Sequence, residues 1–222
     1  MEEYIVRILN IDRVTHDVKK FRFEKPEGYS FIPGQATDVS INKPGFRDKK
    51  NPFTFTCLNS DPYLEFTIKI YSTRDGVTSE LGKLKPGDEL IIRDVWGAIN
   101  YKGNGVFIAG GAGITPFLSI LRDLESRNEV QGNKLIYGNK TRADIIMEDE
   151  LRKMLGKNFI NILSEEKAGG FNYGLVNRDF LKSNIDDFGV EFYVCGPDPM
   201  IKMVTNALTS LGVGKELITL EL

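Results

Sequence analysis

The sequence predicts two domains: an N-terminal antiparallel β-barrel over residues 1–101 and a C-terminal α/β domain with a parallel sheet over residues 102–222. Three observations carry this. Short strand-like runs separated by turn signals fill the first hundred residues. Strand and helix patterns then alternate to the end of the chain, which is the signature of a parallel sheet covered on both faces. The texture changes at Tyr101-Lys-Gly-Asn-Gly105, which marks the linker. At 222 residues the chain suits two domains of ordinary size, able to bury a core without disulfides or metals.

The barrel elements follow from apolar alternation. The chain enters a strand pattern at Met-Glu-Glu-Tyr-Ile-Val-Arg-Ile-Leu, and further strands are predicted over 18–23, 36–41, 52–57, 64–70 and 89–95. In 64–70, Leu64, Phe66, Ile68 and Ile70 share one face. Turns are set by Pro33-Gly34, Pro44-Gly45 and Pro86-Gly87-Asp88. One short helix is predicted over 78–84. In the second half, strands are predicted over 106–109, 134–137, 159–163, 192–195 and 217–220. Helices are predicted over 116–127, 148–155, 177–181 and 198–211, the last stopped by Gly212.

Composition narrows the function. Lys and Arg total 29 and Asp and Glu 31, so no basic excess points to nucleic acid, and no polybasic run favours an anionic membrane. No apolar run reaches bilayer length and no secretory leader is evident, so the expectation is a cytoplasmic protein without membrane insertion. Two cysteines, Cys57 and Cys195, exclude a disulfide scaffold or a four-cysteine cluster carried by this chain alone. The single histidine, His16, reads as a solvated loop residue; no multi-histidine metal site or Ser-His-Asp triad presents itself, and no metal is expected.

Four segments carry chemistry. Ile108-Ala-Gly-Gly-Ala-Gly-Ile-Thr-Pro116 runs a buried strand through small residues into a helix that opens with Thr115 and Pro116. Glycines allow close backbone approach, and a helix N-terminus offers free N–H groups and positive dipole, which suits a pyrophosphate. A tight turn without a ligand would use the same residues. Val194-Cys-Gly-Pro-Asp-Pro-Met200 ends another strand on the same rim and puts Cys195 where the reactive end of a dinucleotide belongs. In the barrel, Pro52-Phe-Thr-Phe-Thr56 pairs aromatic with hydroxyl, and Gly76-Val-Thr-Ser79 sets hydroxyls at a helix start. Taken singly, Phe53 and Phe55 are more often barrel core and Ser79 more often a plain helix cap, and Cys57 reads as an inert buried thiol.

In order along the chain, Pro33-Gly34-Gln35, the Pro-Phe-Thr segment, Gly-Val-Thr-Ser, Gly-Gly-Ala-Gly-Ile-Thr-Pro and Cys-Gly-Pro-Asp-Pro-Met resemble the ferredoxin–NADP reductase superfamily over nearly the whole chain. The resemblance implies a flavin-binding barrel followed by a nicotinamide-dinucleotide domain. It places the flavin against Asn51, Pro52, Phe53 and Thr54, with Phe53 on the ring and Thr54 beside the nitrogen that accepts hydride. Lys69, Ile70 and Tyr71 would line the ribityl chain, and Gly76, Thr78 and Ser79 the flavin phosphate. Gly110, Gly111, Gly113, Thr115 and Pro116 would hold the dinucleotide, and Cys195, Gly196, Pro197 and Met200 would border the nicotinamide. Thr54 and Cys195 are thus the residues expected at the reacting atoms.

Two positions set the cofactors. The family pattern has an Arg where this chain has Asn51, and that Arg binds flavin phosphate; Lys49, Lys50 and Arg74 are possible substitutes. FAD is therefore expected, with FMN or a loosely held flavin open. Glu165 stands where NADPH users often place an Arg, so NADH is expected over NADPH, against a contribution from Lys140 and Arg142 on the same rim. The segments 137–145 and 171–176 also resemble the NADH–cytochrome reductases. The implied reaction takes hydride from NAD(P)H to flavin and passes electrons to a separate acceptor: a ferredoxin, a flavodoxin, a cytochrome or a small molecule. A flavin reductase with loosely bound flavin and a non-catalytic flavin-binding subunit are the alternatives.

Overall fold

The computed structural model describes residues 2–71, 76–97 and 99–221 of the chain. Arg74, named above as a possible substitute for the missing flavin-phosphate Arg, lies outside the described residues.

The barrel is built from β1 (Glu3–Arg13), β2 (Val18–Glu24), β3 (Ala36–Ile41), β4 (Asn51–Thr54), β5 (Tyr63–Lys69), the short helix α1 (Val77–Leu81), β6 (Glu89–Arg93) and β7 (Val95–Trp96). Its strands run in the order β4-β3-β6-β1-β2-β5, all antiparallel, with β7 added to β3. A bridge between Phe55 and Phe66 draws the two ends of this order together. The alternation in β5 does what period 2 demands: Leu64, Phe66 and Ile68 are buried inside with Phe21, Phe23 and Phe55. Phe31 stacks on Phe55 with ring centroids 4.4 Å apart. The opposite face of β5 is also buried, at Glu65 and Thr67; Arg122 of the second domain reaches Glu65, and Thr67 meets the Thr56 hydroxyl.

Two differences from the sequence reading have local causes. The expected 89–95 strand splits into β6 and β7 at Arg93. The Thr37 hydroxyl donates to the Arg93 carbonyl at 2.8 Å and accepts from its N–H at 2.9 Å, so a side chain takes the place of the ladder partner. The expected 52–57 strand stops at Thr54 and continues as the single bridge at Phe55.

The second domain comprises β8 (Gly105–Gly110), α2 (Thr115–Ser126), β9 (Lys134–Asn139), α3 (Glu148–Leu155), β10 (Phe159–Leu163), β11 (Asn172–Tyr173), α4 (Arg178–Asn184), β12 (Glu191–Cys195), α5 (Asp198–Ser210) and β13 (Ile218–Leu220). All six strands are parallel, in the order β11-β10-β9-β8-β12-β13. Side chains of α2 and α3 pack on one face and those of α4 and α5 on the other, so β8 is buried at every residue. The edge strand β11 was not foreseen: its two residues are exposed and polar, with no apolar run to announce them. Among the described residues no helix is long and apolar enough to cross a membrane.

The domains share a seam. Val18 of the barrel belongs to the apolar cluster of α2, with Ile99 from the connecting segment. Gly34 holds a positive φ of 98°, and a Cβ there would collide with the Ile99 carbonyl oxygen and stand 3.2 Å from Ile120. Gly45 has a similar φ of 80° with open space around it. Both substitutions to Ala carry left-handed strain of roughly 1–3 kcal/mol, but only Gly34→Ala adds a clash at the seam. Chemical denaturation of Gly34→Ala and Gly45→Ala should therefore show a clearly larger loss for the first; equal losses would mean the seam relaxes freely.

Candidate functional site

The strand order generates the site. From β8 the chain builds outward through β9, β10 and β11, then returns to place β12 on the other side of β8. The loops leaving β8 and β12 therefore diverge, and the crevice between them at the carboxyl ends is where open α/β sheets bind ligands. A cleft of about 790 Å³ lies there, walled by the turn after β8 (Gly110, Gly111, Ala112, Gly113) and the turn after β12 (Cys195, Gly196, Pro197). Met200 and Met203 of α5 line it, Gly138, Asn139, Lys140, Asp144 and Ser164 close its far side, and Lys69 and Tyr71 bring the barrel into its wall.

The glycines of the two turns have different reasons. A Cβ on Gly110 would strike the Met200 sulfur, one on Gly113 would stand 2.5 Å from the Cys195 carbonyl oxygen, and one on Gly196 would stand 3.1 Å from the Gly110 nitrogen. These three let the turns lie directly against each other. Only Gly111 combines a positive φ of 52° with open space, so its backbone is the part of the turn free for a ligand. The turn is held from beneath: the fully buried Tyr137 donates its hydroxyl to the Gly111 carbonyl at 2.8 Å, and burial pushes that phenol above its ordinary pKa. Sequence reasoning missed Tyr137; its place three residues before Lys140 at a strand end was the available signal.

Cys195 lines the cleft yet is almost wholly buried, and its thiol donates to Glu221 Oε2 at 3.0 Å. Burial first, then the Glu221 carboxylate, raises its pKa far above the ordinary thiol value, so at neutral pH it is a neutral hydrogen-bond donor and no nucleophile. Glu221 too was missed as a site residue. It enters the site only because β13 pairs parallel to β12, a long-range contact that local pattern does not reveal.

The other expected residues divide into groups. Asn51, Pro52, Phe53 and Thr54 form β4, outside the cleft wall; Phe53 packs on the barrel cluster, 6.0 Å from Phe66, and Thr54 is largely buried opposite Ala36. Ile70 packs on the same barrel cluster. Gly76, Thr78 and Ser79 open α1, whose first turn has no side-chain cap. Thr115 turns its hydroxyl back to the Ala112 carbonyl at 3.1 Å, and Pro116 is buried in the first turn of α2. Glu165 is outside the wall but is paired at 2.9 Å with Lys140, which is in it. His16, expected in a solvated loop, is exposed but sits in the seam, its Nε2 3.7 Å from both Asp17 and Asp144.

The fold and cleft define a two-domain protein with a dinucleotide-type α/β domain behind a barrel. Residues 107–206 match the family model of the oxidoreductase NAD-binding domain. The reductase component of propane 2-monooxygenase from Rhodococcus jostii is 28% identical over 98% of this chain and 63% of its own length. NADH-cytochrome b5 reductase 2 of Mycosarcoma maydis is 29% identical over 86% and 60%. The chain thus spans about three-fifths of the length of these relatives. In structure it matches a ferredoxin NADP+ reductase from Neisseria gonorrhoeae with bound FAD and NADP at a TM-score of 0.86 and 21% identity, covering 100% of this chain and 98% of that one. The chain thus has a ferredoxin reductase-like two-domain fold, with an oxidoreductase NAD-binding domain over residues 107–206.

The thiols give a test. Burial pushes Cys57 up to about 12, and Cys195 is raised by burial and Glu221. Below the unfolded thiol value of about 8.5 both states are protonated and the thiols add no pH dependence. As pH rises past that value the unfolded chain loses its thiol protons first, so folding stability falls until the folded thiols titrate. Native protein at pH 8 should resist alkylation at both positions, and denaturant midpoints should fall above about pH 8.5. Rapid labelling of Cys195 at pH 8 would contradict the burial argument.

Proposed function

We propose that the chain is an NAD(P)H-dependent flavoprotein reductase that passes electrons to a separate acceptor, either a protein such as a ferredoxin, flavodoxin or cytochrome, or a small molecule. The observation that carries this is the switch-point cleft, whose glycine turn faces Cys195 while the barrel's Lys69 and Tyr71 complete the wall. The dinucleotide pyrophosphate belongs on the open backbone of Gly111 at the start of α2, and the nicotinamide end toward Cys195 and Glu221. FAD, or FMN in its place, belongs against β4 and α1. Room at Gly76, where an added Cβ meets no described residue within 4 Å, and a first turn of α1 with no side-chain cap among the described residues suit a phosphate there. A bound flavin would take hydride from the reduced nicotinamide and release its electrons onward. The protein's own part is alignment and exclusion of water: Thr54 presents a hydroxyl, Cys195 a neutral thiol held by Glu221, and no general base is required.

The test is direct. Purified protein supplied with FAD should bleach under NADH without oxygen and turn over with ferricyanide; a flavin that binds but stays oxidised would sink the reading. Asn51 favours a second reading, a reductase that uses flavin as a loose substrate, in which the protein is colourless yet consumes NADH when flavin is added. In that Arg position a charge-assisted bond is worth about 1.5–3 kcal/mol, so Asn51→Arg should tighten flavin roughly 10- to 100-fold by fluorescence titration. Unchanged affinity would mean the phosphate is held elsewhere. Thr54→Val should slow single-turnover flavin reduction by about one to three orders of magnitude, with a smaller effect on NADH binding. An unchanged rate would remove Thr54 from the reacting edge.

The reading extends to the donor. Lys140 is the cation in the cleft wall nearest the expected ribose, and Glu165 holds it in an ion pair that raises the Lys140 pKa. Arg142 is engaged by Glu148 and the Phe171 ring. With its cations occupied, the rim favours the free ribose hydroxyls of NADH over a phosphate dianion. Glu165→Arg should move the ratio of kcat/KM values toward NADPH by about 10-fold or more. Because the pair is exposed, stability should hardly change. A wild-type preference for NADPH, or a variant whose ratio does not move, would contradict this.

A further inference from the structure

The cleft and β4 belong to different domains, so any reaction between ligands on the two depends on how the seam fixes their separation. Helix α2 starts at the glycine turn and runs to the seam. There Arg122 of α2 sits largely buried, with its guanidinium planted twice. On its own domain, Nε and Nη2 grip both oxygens of Glu150 at 2.5 and 2.8 Å. That fork aims Nη1 across the seam at the Thr56 carbonyl and at Glu65 Oε1, 3.0 Å away. The barrel side is itself rigid: Thr56 donates its hydroxyl to Glu65 at 3.0 Å and its N–H to the Glu65 carbonyl at 2.9 Å, and Arg22 holds the other Glu65 oxygen at 3.0 Å. Thr56 lies two residues beyond Thr54 on a continuous segment.

We propose that Arg122 is a positioning residue, which sets the distance between the dinucleotide cleft and the Thr54 edge of the barrel; this rests on the reductase reading above. Planarity matters here. A guanidinium held at two nitrogens has no freedom left for the third, whereas a lysine ammonium could satisfy either side but not fix the angle between them. Loss of Arg122 leaves Glu65 still bonded to Arg22 and leaves Glu150 partly exposed to water, so the variants retain a paired barrel side and fold.

The test uses the full chain loaded with FAD, comparing wild type with Arg122→Met, Arg122→Lys and Arg122→Gly. Flavin reduction is followed in single turnovers with NADH and with 4-deuterated NADH over a range of temperature, alongside NAD+ affinity and the flavin spectrum. We expect Arg122→Met to slow reduction about 10- to 100-fold and to make the isotope effect more temperature-dependent, while NAD+ affinity and flavin spectrum stay at wild-type values. Arg122→Lys should recover little, and millimolar guanidinium ion should partly restore Arg122→Gly. A folded Arg122→Met that reduces its flavin at the wild-type rate overturns the proposal. So does a variant that loses rate, NAD+ affinity and flavin together, which is general loosening. Wild-type flavin that NADH does not reduce sinks the reductase reading itself, a separate result.

Discussion

The structure depends on one contact: the turn after β8 lying directly against the turn after β12. Parallel strands cannot be joined by tight hairpins, so the chain must leave β8 on one side and come back on the other, and the two departing turns meet only at the switch point. Gly110, Gly113 and Gly196 keep them in touch, since a Cβ at any of these would meet the facing turn or Met200. Everything functional is referred to that contact. It exposes the backbone of Gly111, directs α2 toward the barrel, and brings Cys195 beside the side-chain carboxylate of Glu221.

A second level of order is the seam, where burial of polar groups replaces a broad apolar interface. Glu65 and Thr67 lie on the outer face of β5, which a half-buried strand would leave in water. Both are buried, and each must then be satisfied internally or stand as a costly unpaired group. Glu65 is satisfied by Arg22, Arg122 and Thr56 together. Charge drives this arrangement: Arg122 is pushed down by its own burial, yet its bonds to Glu150 and Glu65 outweigh that and leave its pKa raised. A buried ion network of this kind adds little to stability, because the cost of desolvating its charges offsets their attraction.

Much of this was legible in the sequence. The spans 36–41, 148–155 and 159–163 coincide with β3, α3 and β10: α3 shows helical spacing at Leu151, Met154 and Leu155 and ends at Gly156, β3 lies between the Pro33-Gly34 and Pro44-Gly45 turns, and β10 is a short apolar run. The glycine turn was legible as a turn because small residues separate a buried strand from a Thr-Pro helix start. What escaped was long-range. The split at Arg93 depends on the Thr37 hydroxyl, the buried outer face of β5 meets Arg122 of the other domain at Glu65, and Glu221 joins Cys195 only through the β12–β13 pairing. The glycines themselves were assigned to ligand approach, while three of four answer to packing between the turns. The single histidine was read from its loop alone, and its neighbours across the seam, Asp17 and Asp144, are set by domain docking.

The chemical character of the cleft follows from what surrounds its reactive end. Cys195 lines the cleft at the turn after β12, and both its burial and Glu221 oppose ionisation. A thiolate there would be a competing nucleophile against an electron-poor nicotinamide ring. A neutral thiol instead offers a weak, directional donor and a polarisable contact. The residues that carry charge, Lys69, Lys140 and Asp144, stand on the opposite wall, where each is already partnered: Lys69 by Asp17 at 2.8 Å, Lys140 by Glu165, and Asp144 by Thr141. Charge in the cleft wall is thus gathered on that side, while Cys195 on the other side is held by the Glu221 carboxylate. That division suits the proposed reductase, in which cofactors would supply the reactive atoms and side chains fix where those atoms meet.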